Sequence, residues 1–272
     1  MHIVKTQPKY LTDHIKCFYS VFAGGPENVV SSHRRLPDGT LDILFNLGSA
    51  VLLSGDGLNY SPMPDVALTG LYRERKFIQY KGAVHLVGVV FQPGFAHLFV
   101  NDTLEHFEDS ALDASLIFGK EICFLSEQLK SMAGEAEQHH LLERFLLKYL
   151  RTKDNGGYSS RIFDVVQQIH KLEGDVVISA LYKANFMSAR TFRRKFNECV
   201  GMSPKQYAAI TRIKSFSKKY ELSRCSYTDV CSGLGYTDVS HFTRDFQKIA
   251  GTSPTAYFRQ LDEIGAEFIH LI

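Results

Sequence analysis

No C-x-x-C pair occurs in this sequence. Its five cysteines (Cys17, Cys123, Cys199, Cys225, Cys231) are odd in number and scattered. That reads as reduced thiols in a cytoplasmic protein, not as a disulfide framework or a zinc site. The N-terminus has no basic-then-apolar leader, and no apolar run approaches the ~20 residues of a membrane helix. The expectation is a cytoplasmic chain with no membrane partner. Enzyme signatures are missing too: there is no Gly-rich phosphate loop, no H-E-x-x-H and no G-x-S-x-G. Each of these places backbone amides, metal ligands or a nucleophile at a spacing the chemistry needs. His33, His85 and His97 are scattered, and His139 and His140 are neighbours that point different ways on a helix. A chain without catalysis, metal or cofactor is expected.

What is present is an uneven distribution of charge. The 272 residues are 44% apolar and 22% charged, enough for two globular domains. The net charge of +2 conceals two halves of opposite sign. Residues 158–259 hold 16 Lys/Arg against 8 Asp/Glu, and the remainder holds 15 against 21. A basic domain joined to an acidic one suits a nucleic-acid binder attached to something else.

The basic part contains a duplication. Ser188, Phe192, Arg194, Phe196, Gly201, Ser203, Pro204 and Tyr207 recur fifty residues later as Asp238, Phe242, Arg244, Phe246, Gly251, Ser253, Pro254 and Tyr257. Fixed-period self-similarity marks a repeated structural unit. Ser188 and Asp238 read as helix N-caps, and Ser203 and Ser253 as caps followed by Pro at the first helical position. Three residues before the first two caps stand Asn185 and Gly235, types that tolerate a left-handed backbone in a tight turn. The paired Phe residues, four apart, share one helix face. Short apolar helix candidates precede each cap, at Val176–Ala184 and Tyr227–Leu234. Helix, tight turn and capped helix make a helix-turn-helix, whose second helix enters the major groove. One copy alone reads equally well as an ordinary helical hairpin. Two copies with the same caps and the same Arg favour the DNA-binding reading.

Residues from about 158 to 258 resemble the DNA-binding module of the AraC/XylS family of bacterial transcription regulators. The second copy carries that signature as Gly235-Tyr236-x-Asp238-x-Ser240-x-Phe242-x-Arg244-x-Phe246, then Gly251-x-Ser253-Pro254-x-x-Tyr257. The first copy departs from it at Phe186, where Gly is usual, and at Ala180-Leu181, and Phe216 replaces a usual Ala. The resemblance implies base readout by Arg190, Arg193 and Arg194 in the first unit and by Ser240, His241, Thr243 and Arg244 in the second. Arg and Lys are suited to this because they bond guanine O6 and N7 bidentately. Lys195, Lys205 and Lys248 are phosphate candidates, with a plain solvated face as the alternative for each. Arg212 matches a family position that is more often structural. Ser203–Tyr220 reads as one stiff helix joining the units, which spaces the two capped helices near one DNA turn.

Residues 1–92 are β-rich, with candidate strands Ile15–Phe22, Leu41–Leu47, Val51–Leu53, Val66–Tyr72, Lys76–Tyr80 and Val84–Phe91 between Gly/Pro turns. That pattern argues for a sandwich or barrel. Leu36-Pro37-Asp38-Gly39 with Leu41-Asp42-Ile43-x-Phe45-Asn46, and Gly88-x-x-Phe91-x-Pro93-Gly94, resemble the sensor-type domain of some of these regulators, which implies a cupin-like fold. Residues 95–151 turn helical, at Phe95–Val100, Asp113–Met132 and Ala136–Leu150. Such helices pack on their own barrel or form a dimer contact. A polar break at Lys153–Gly157 places the domain boundary.

The expected class is therefore α+β: an N-terminal cupin-like β-barrel or sandwich with helices (1–151), then an all-α double helix-turn-helix domain (158–272). The expected function is a sequence-specific DNA-binding transcription regulator, an activator by family. Its partners would be double-stranded DNA, RNA polymerase, and a small-molecule effector or a second copy in a homodimer. The alternatives are a regulator controlled by a protein partner through a scaffold domain, and a ligand-binding or catalytic cupin targeted to DNA. Convergent polar groups in a barrel pocket favour a ligand, and a filled barrel favours a scaffold.

Overall fold

In the computed structural model, residues 2–24, 30–100, 104–150, 158–222 and 226–259 are described. Their strands are β1 (His2–Thr6), β2 (Ile15–Ala23), β3 (Val30–Arg35), β4 (Asp42–Asn46), β5 (Val51–Ser54), β6 (Ser61–Pro62), β7 (Val66–Thr69), β8 (Lys76–Lys81), β9 (Val84–Phe91) and β10 (Leu112–Asp113). One antiparallel sheet runs β1-β2-β9-β4-β7-β10, and a second runs β3-β8-β5-β6.

The period-2 alternation of β2, β4 and β9 divides their side chains between two cores. Cys17, Tyr19, Val21, Leu44, Leu86 and Val90 face the second sheet and meet Val51, Ile78 and Tyr80. Phe18, Ile43, Phe45, Val87, Val89 and Phe91 face the helices. A sheet covered on both faces needs near-continuous apolar strands, which is why these three were readable. Gly88 is required here, because a Cβ on it would run into the Tyr19 ring.

The helices are α1 (Ser115–Phe118), α2 (Glu121–Ser131), α3 (Glu135–Leu147), α4 (Tyr158–Lys171), α5 (Ile178–Ala184), α6 (Ala189–Val200), α7 (Pro204–Leu222), α8 (Tyr227–Ser232), α9 (Val239–Ala250) and α10 (Pro254–Arg259). The helix expected over 113–132 is broken, since Gly119 takes φ +66° between α1 and α2. The one expected over 95–100 shrinks to a 3-10 turn at Ala96–Leu98. The break expected at Lys153–Gly157 lies outside the described residues.

The apolar face of the first sheet, the helices after it and the C-terminal helices share one continuous core. Phe95 packs on Phe163 of α4 with centroids 5.2 Å apart. Polar contacts cross the same seam: Ser159 Oγ lies 3.1 Å from His97 Nε2, and Asn197 Nδ2 donates to Glu105 Oε1 at 2.8 Å. α6 and α9 both end on left-handed glycines held against the N-terminal half. Gly201 (φ +84°) sits against Leu71 and Leu104, and Gly251 (φ +61°) against Arg75, whose amide donates to Ile249 O at 3.1 Å.

Candidate nucleic-acid interface

Each unit is built on an aromatic floor. Phe192 and Phe196 of α6, and Phe242 and Phe246 of α9, are fully buried. Four-residue spacing puts each pair on one stripe, and burial contributes roughly 1.5–3 kcal/mol per ring. Phe216 of α7, the departure from the family pattern, lies at 4.0 Å from Phe242 and stacks on Tyr220. It anchors the second unit rather than the first.

The helices start where the caps place them. Ser188 Oγ accepts from Thr191 N at 3.1 Å and Asp238 Oδ1 from His241 N at 2.7 Å. Ser203 Oγ accepts from Gln206 N and Ser253 Oγ from Ala256 N, both at 3.3 Å. These bonds satisfy amides that the first turn leaves without partners. Hydrogen bonding to His241 N, with minor burial opposing, holds the Asp238 carboxyl below its ordinary range.

The turn before α6 corrects an expectation. Asn185 has φ −95°, and the left-handed residue is Phe186 at φ +53°. In the second unit it is Gly235 at φ +72°. The hydrogen bonds explain the offset. Met187 N donates to Tyr182 O and Tyr236 N to Cys231 O, so Phe186 corresponds to Gly235. The left-handed residue stands two places before Ser188 but three before Asp238, so the second turn is one residue longer. Phe186 is also 99% exposed. Its ring gains nothing from packing to offset a backbone that costs a non-glycine roughly 1–2 kcal/mol.

The polar faces of α6 and α9 differ. Arg190 and Arg193 are exposed and make no hydrogen bond or ion pair with the described residues. Arg194 is exposed too, but its Nη1 donates to Glu198 Oε1 at 2.8 Å. Lys195 is largely covered. Its Nζ reaches Glu198 Oε2 at 2.9 Å and lies 4.6 Å from the centre of the Tyr158 ring. On α9, Ser240 and Arg244 are exposed, with Arg244 Nε donating to Ser240 O at 3.3 Å. His241 is half-buried, edge-on to Tyr236 at 5.2 Å and 3.8 Å from Asp245. The half-buried Thr243 hydroxyl donates to Val239 O at 2.7 Å. Lys205 and Lys248 are exposed.

Arg212 has a structural setting. Its Nη2 donates to Gly174 O and Asp175 Oδ1, both at 3.0 Å, and its guanidinium lies 5.0 Å from the centre of the Tyr236 ring. It ties α7 to the loop before α5 and to the turn before α9. No group of three His, Cys, Asp or Glu side chains suited to a metal converges among the described residues. No helix among them is long and apolar enough to cross a membrane.

Two family models match the chain. Residues 181–260 match a helix-turn-helix domain, and residues 6–113 match a domain of unknown function, DUF6597. The transcriptional activator NphR of Rhodococcus sp is 28% identical over 156 residues, which is 57% of this chain and 44% of that protein. The match thus spans less than half the length of this curated relative. Among solved structures, ToxT from Vibrio cholerae aligns over 90% of this chain and 98% of its own at 11% identity, with a TM-score of 0.49. The AraC-like transcriptional activator CuxR aligns over 80% and 87% at 12% identity, with a TM-score of 0.30. With two capped, aromatic-floored helix pairs on one rod, residues 181–260 are an AraC-type helix-turn-helix domain, and the chain is similar to the transcriptional activator NphR.

Proposed function

We propose that this chain is a sequence-specific DNA-binding transcription regulator whose α6 and α9 read successive major grooves. The observation that carries this is the pair Arg190 and Arg193. Both guanidiniums stand exposed on a helix whose other face is locked by Phe192 and Phe196. Neither makes an ion pair or hydrogen bond with the described residues, which leaves their full donor sets for base edges. α7, with 19 residues and so ~28 Å long, spaces the two units near one turn of duplex. The reading divides the chain into 1–151 and 158–272, with DNA contacted by the second part and RNA polymerase recruited by the assembled regulator. Activation follows the NphR name.

For the N-terminal part, a specific observation favours a scaffold over a barrel that encloses an effector. The space between the sheets is only about 10 Å³, ringed by Tyr19, Tyr72, Tyr80, Leu44, Ile78 and Leu86. A single water needs about that much. Arg35 fills the polar end, donating to Asp42 at 2.6 Å and to Asp38 at 2.9 Å.

Selection of bound sequences from a randomised duplex library, with the full chain, tests the function. The expected product is one asymmetric site with two unlike halves about one turn apart. Recovery of no enriched sequence, with salt-dependent binding to every duplex, would overturn it.

A further inference from the structure

Arg194 and Arg244 hold the same place in the two repeats, yet they lean opposite ways along their helices. Arg194 reaches towards the C-terminus of α6, where its Nη1 donates to Glu198 Oε1, four residues on, at 2.8 Å. Arg244 folds back towards the N-terminus of α9, where its Nε donates to Ser240 O, four residues before, at 3.3 Å.

The neighbours one turn away account for the difference. Residues four apart on a helix face each other, so opposite charges there attract and like charges repel. Arg194 has Arg190 behind it and Glu198 ahead. Arg244 has the neutral Ser240 behind it and Lys248 ahead. The charge ahead is inverted between the repeats, and each arginine turns the way its neighbours direct.

An exposed pair of this kind is ordinarily weak. Glu198, however, is anchored by a second contact. Its Oε2 accepts from Lys195 Nζ at 2.9 Å, and Lys195 Nζ lies 4.6 Å from the centre of the Tyr158 ring of α4. The carboxylate is therefore fixed from one side before Arg194 reaches it, which lowers the entropy lost in pairing. Partial burial opposes ionisation, but the Lys195 hydrogen bond and the charges of Lys195 and Arg194 hold the Glu198 carboxyl below its ordinary range.

We propose that Glu198 is a positioning residue that draws Arg194 away from base edges, so that α6 reads with Arg190 and Arg193 while α9 keeps Arg244. The inference rests on the DNA reading proposed above. In a helix-turn-helix, the N-terminal residues of the second helix meet the bases. A guanidinium held at Glu198, in the last turn of α6, is displaced from that end and has a donor engaged. Arg244, folded towards Ser240, stays at the reading end of α9. The two repeats share an arginine and use it differently.

Selection from a duplex library randomised across the whole site, with the full chain, tests this. Glu198→Gln keeps the shape of the side chain and removes its charge. It should add a guanine preference of about fivefold or more at one position of the half-site that α6 reads, the lower end for one bidentate contact. Adding Arg194→Ala should erase that gain. Lys248→Glu, the converse change, should draw Arg244 forward and weaken a preference in the other half-site. A uniform rise in affinity with an unchanged base profile in Glu198→Gln would mean that Glu198 only repels phosphate, and the inference fails. It fails too if the gain survives Arg194→Ala, or if Arg194→Ala alone relaxes a position as strongly as Arg193→Ala does. Arg193→Ala also separates this inference from the reading beneath it. Should it relax a half-site while Glu198→Gln changes nothing, only the role of Glu198 falls. Should no variant alter the profile, Arg193→Ala included, the DNA reading falls and this inference with it.

Discussion

The ring of Tyr207 lies against the backbone of Gly39, so close that a Cβ there would stand 2.5 Å from Tyr207 Cε2. Gly39 holds φ +71° in the turn before β4. The last residue of the first repeat therefore seats on the Pro37-Asp38-Gly39 turn of the N-terminal half. Gly39→Ala should cost about 1–3 kcal/mol, from left-handed strain plus displacement of a fully buried ring. Urea unfolding of the full chain measures it. A cost under 0.5 kcal/mol would mean the seam yields freely.

Phe186 makes the opposite case. Its side chain is almost wholly exposed and its backbone is left-handed. Phe186→Gly should stabilise the chain by about 1 kcal/mol, since it removes strain and loses no packing. A midpoint shift to lower urea would show that the ring contributes contacts to the fold.

Arg193→Ala should cost about 1–3 kcal/mol in DNA affinity and relax base preference in one half-site. His241→Ala should disturb the other half-site, and by less, because that ring is half-buried against Tyr236. Binding to a library randomised across the whole site separates the two. Relaxation of both halves by either change would mean a symmetric dimer reads the DNA.

The exposed Lys205 and the covered Lys195 should part company. Lys205→Ala should reduce the salt slope of DNA binding by about one, with little effect on Tm. Lys195→Ala should lower Tm, because it strips the Tyr158 ring and Glu198 of a partner. Equal salt slopes for wild type and Lys205→Ala would show a lysine that is merely solvated.

Acid should loosen the seam through His170. Its Nε2 lies 2.8 Å from the Tyr207 hydroxyl, which donates to a neutral imidazole. Burial first, then Lys16 and Lys214, hold its folded value at about 4, below the ordinary histidine range. The unfolded chain then binds the proton first as pH falls. Stability from this group is full above about 6.5 and is lost progressively towards 4. Tyr207, Lys16, Lys214 and Asp38 are the polar and charged groups around it. His170→Gln should flatten this part of the stability–pH curve in calorimetry. An unchanged curve would assign the acid sensitivity elsewhere.

The helical units were legible because their information is local. Caps, four-residue Phe spacing and Ser-Pro starts each act within one or two turns of chain. β2, β4 and β9 were legible for a different reason: burial on both faces demands continuous apolar runs. β1 and β3 carry little signal because they lie at sheet edges, and β3 reads Val-Ser-Ser-His-Arg-Arg with no alternation. Asn185 carries the local signal for a left-handed position, and nothing nearby signals that a phenylalanine accepts it. A cavity between the halves was invisible to any local pattern. Lys16 and Lys214 line it from two elements far apart in sequence, as Tyr207 meets Gly39 across the same seam, and that is a property of the assembled fold.

Gly201 and Gly251 bring α6 and α9 to rest on the stretch around Leu71 and Arg75. That short stretch works as a jig. The pitch between the helices is set by the rod of α7 at one side and by this stop at the other. On the function proposed above, half-site spacing would then be partly encoded in this stretch of the N-terminal half. On the function proposed above, a change at Leu71 or Arg75 would alter which promoters fit while leaving Arg190 and Arg193 in place, so promoter choice could drift through the N-terminal half.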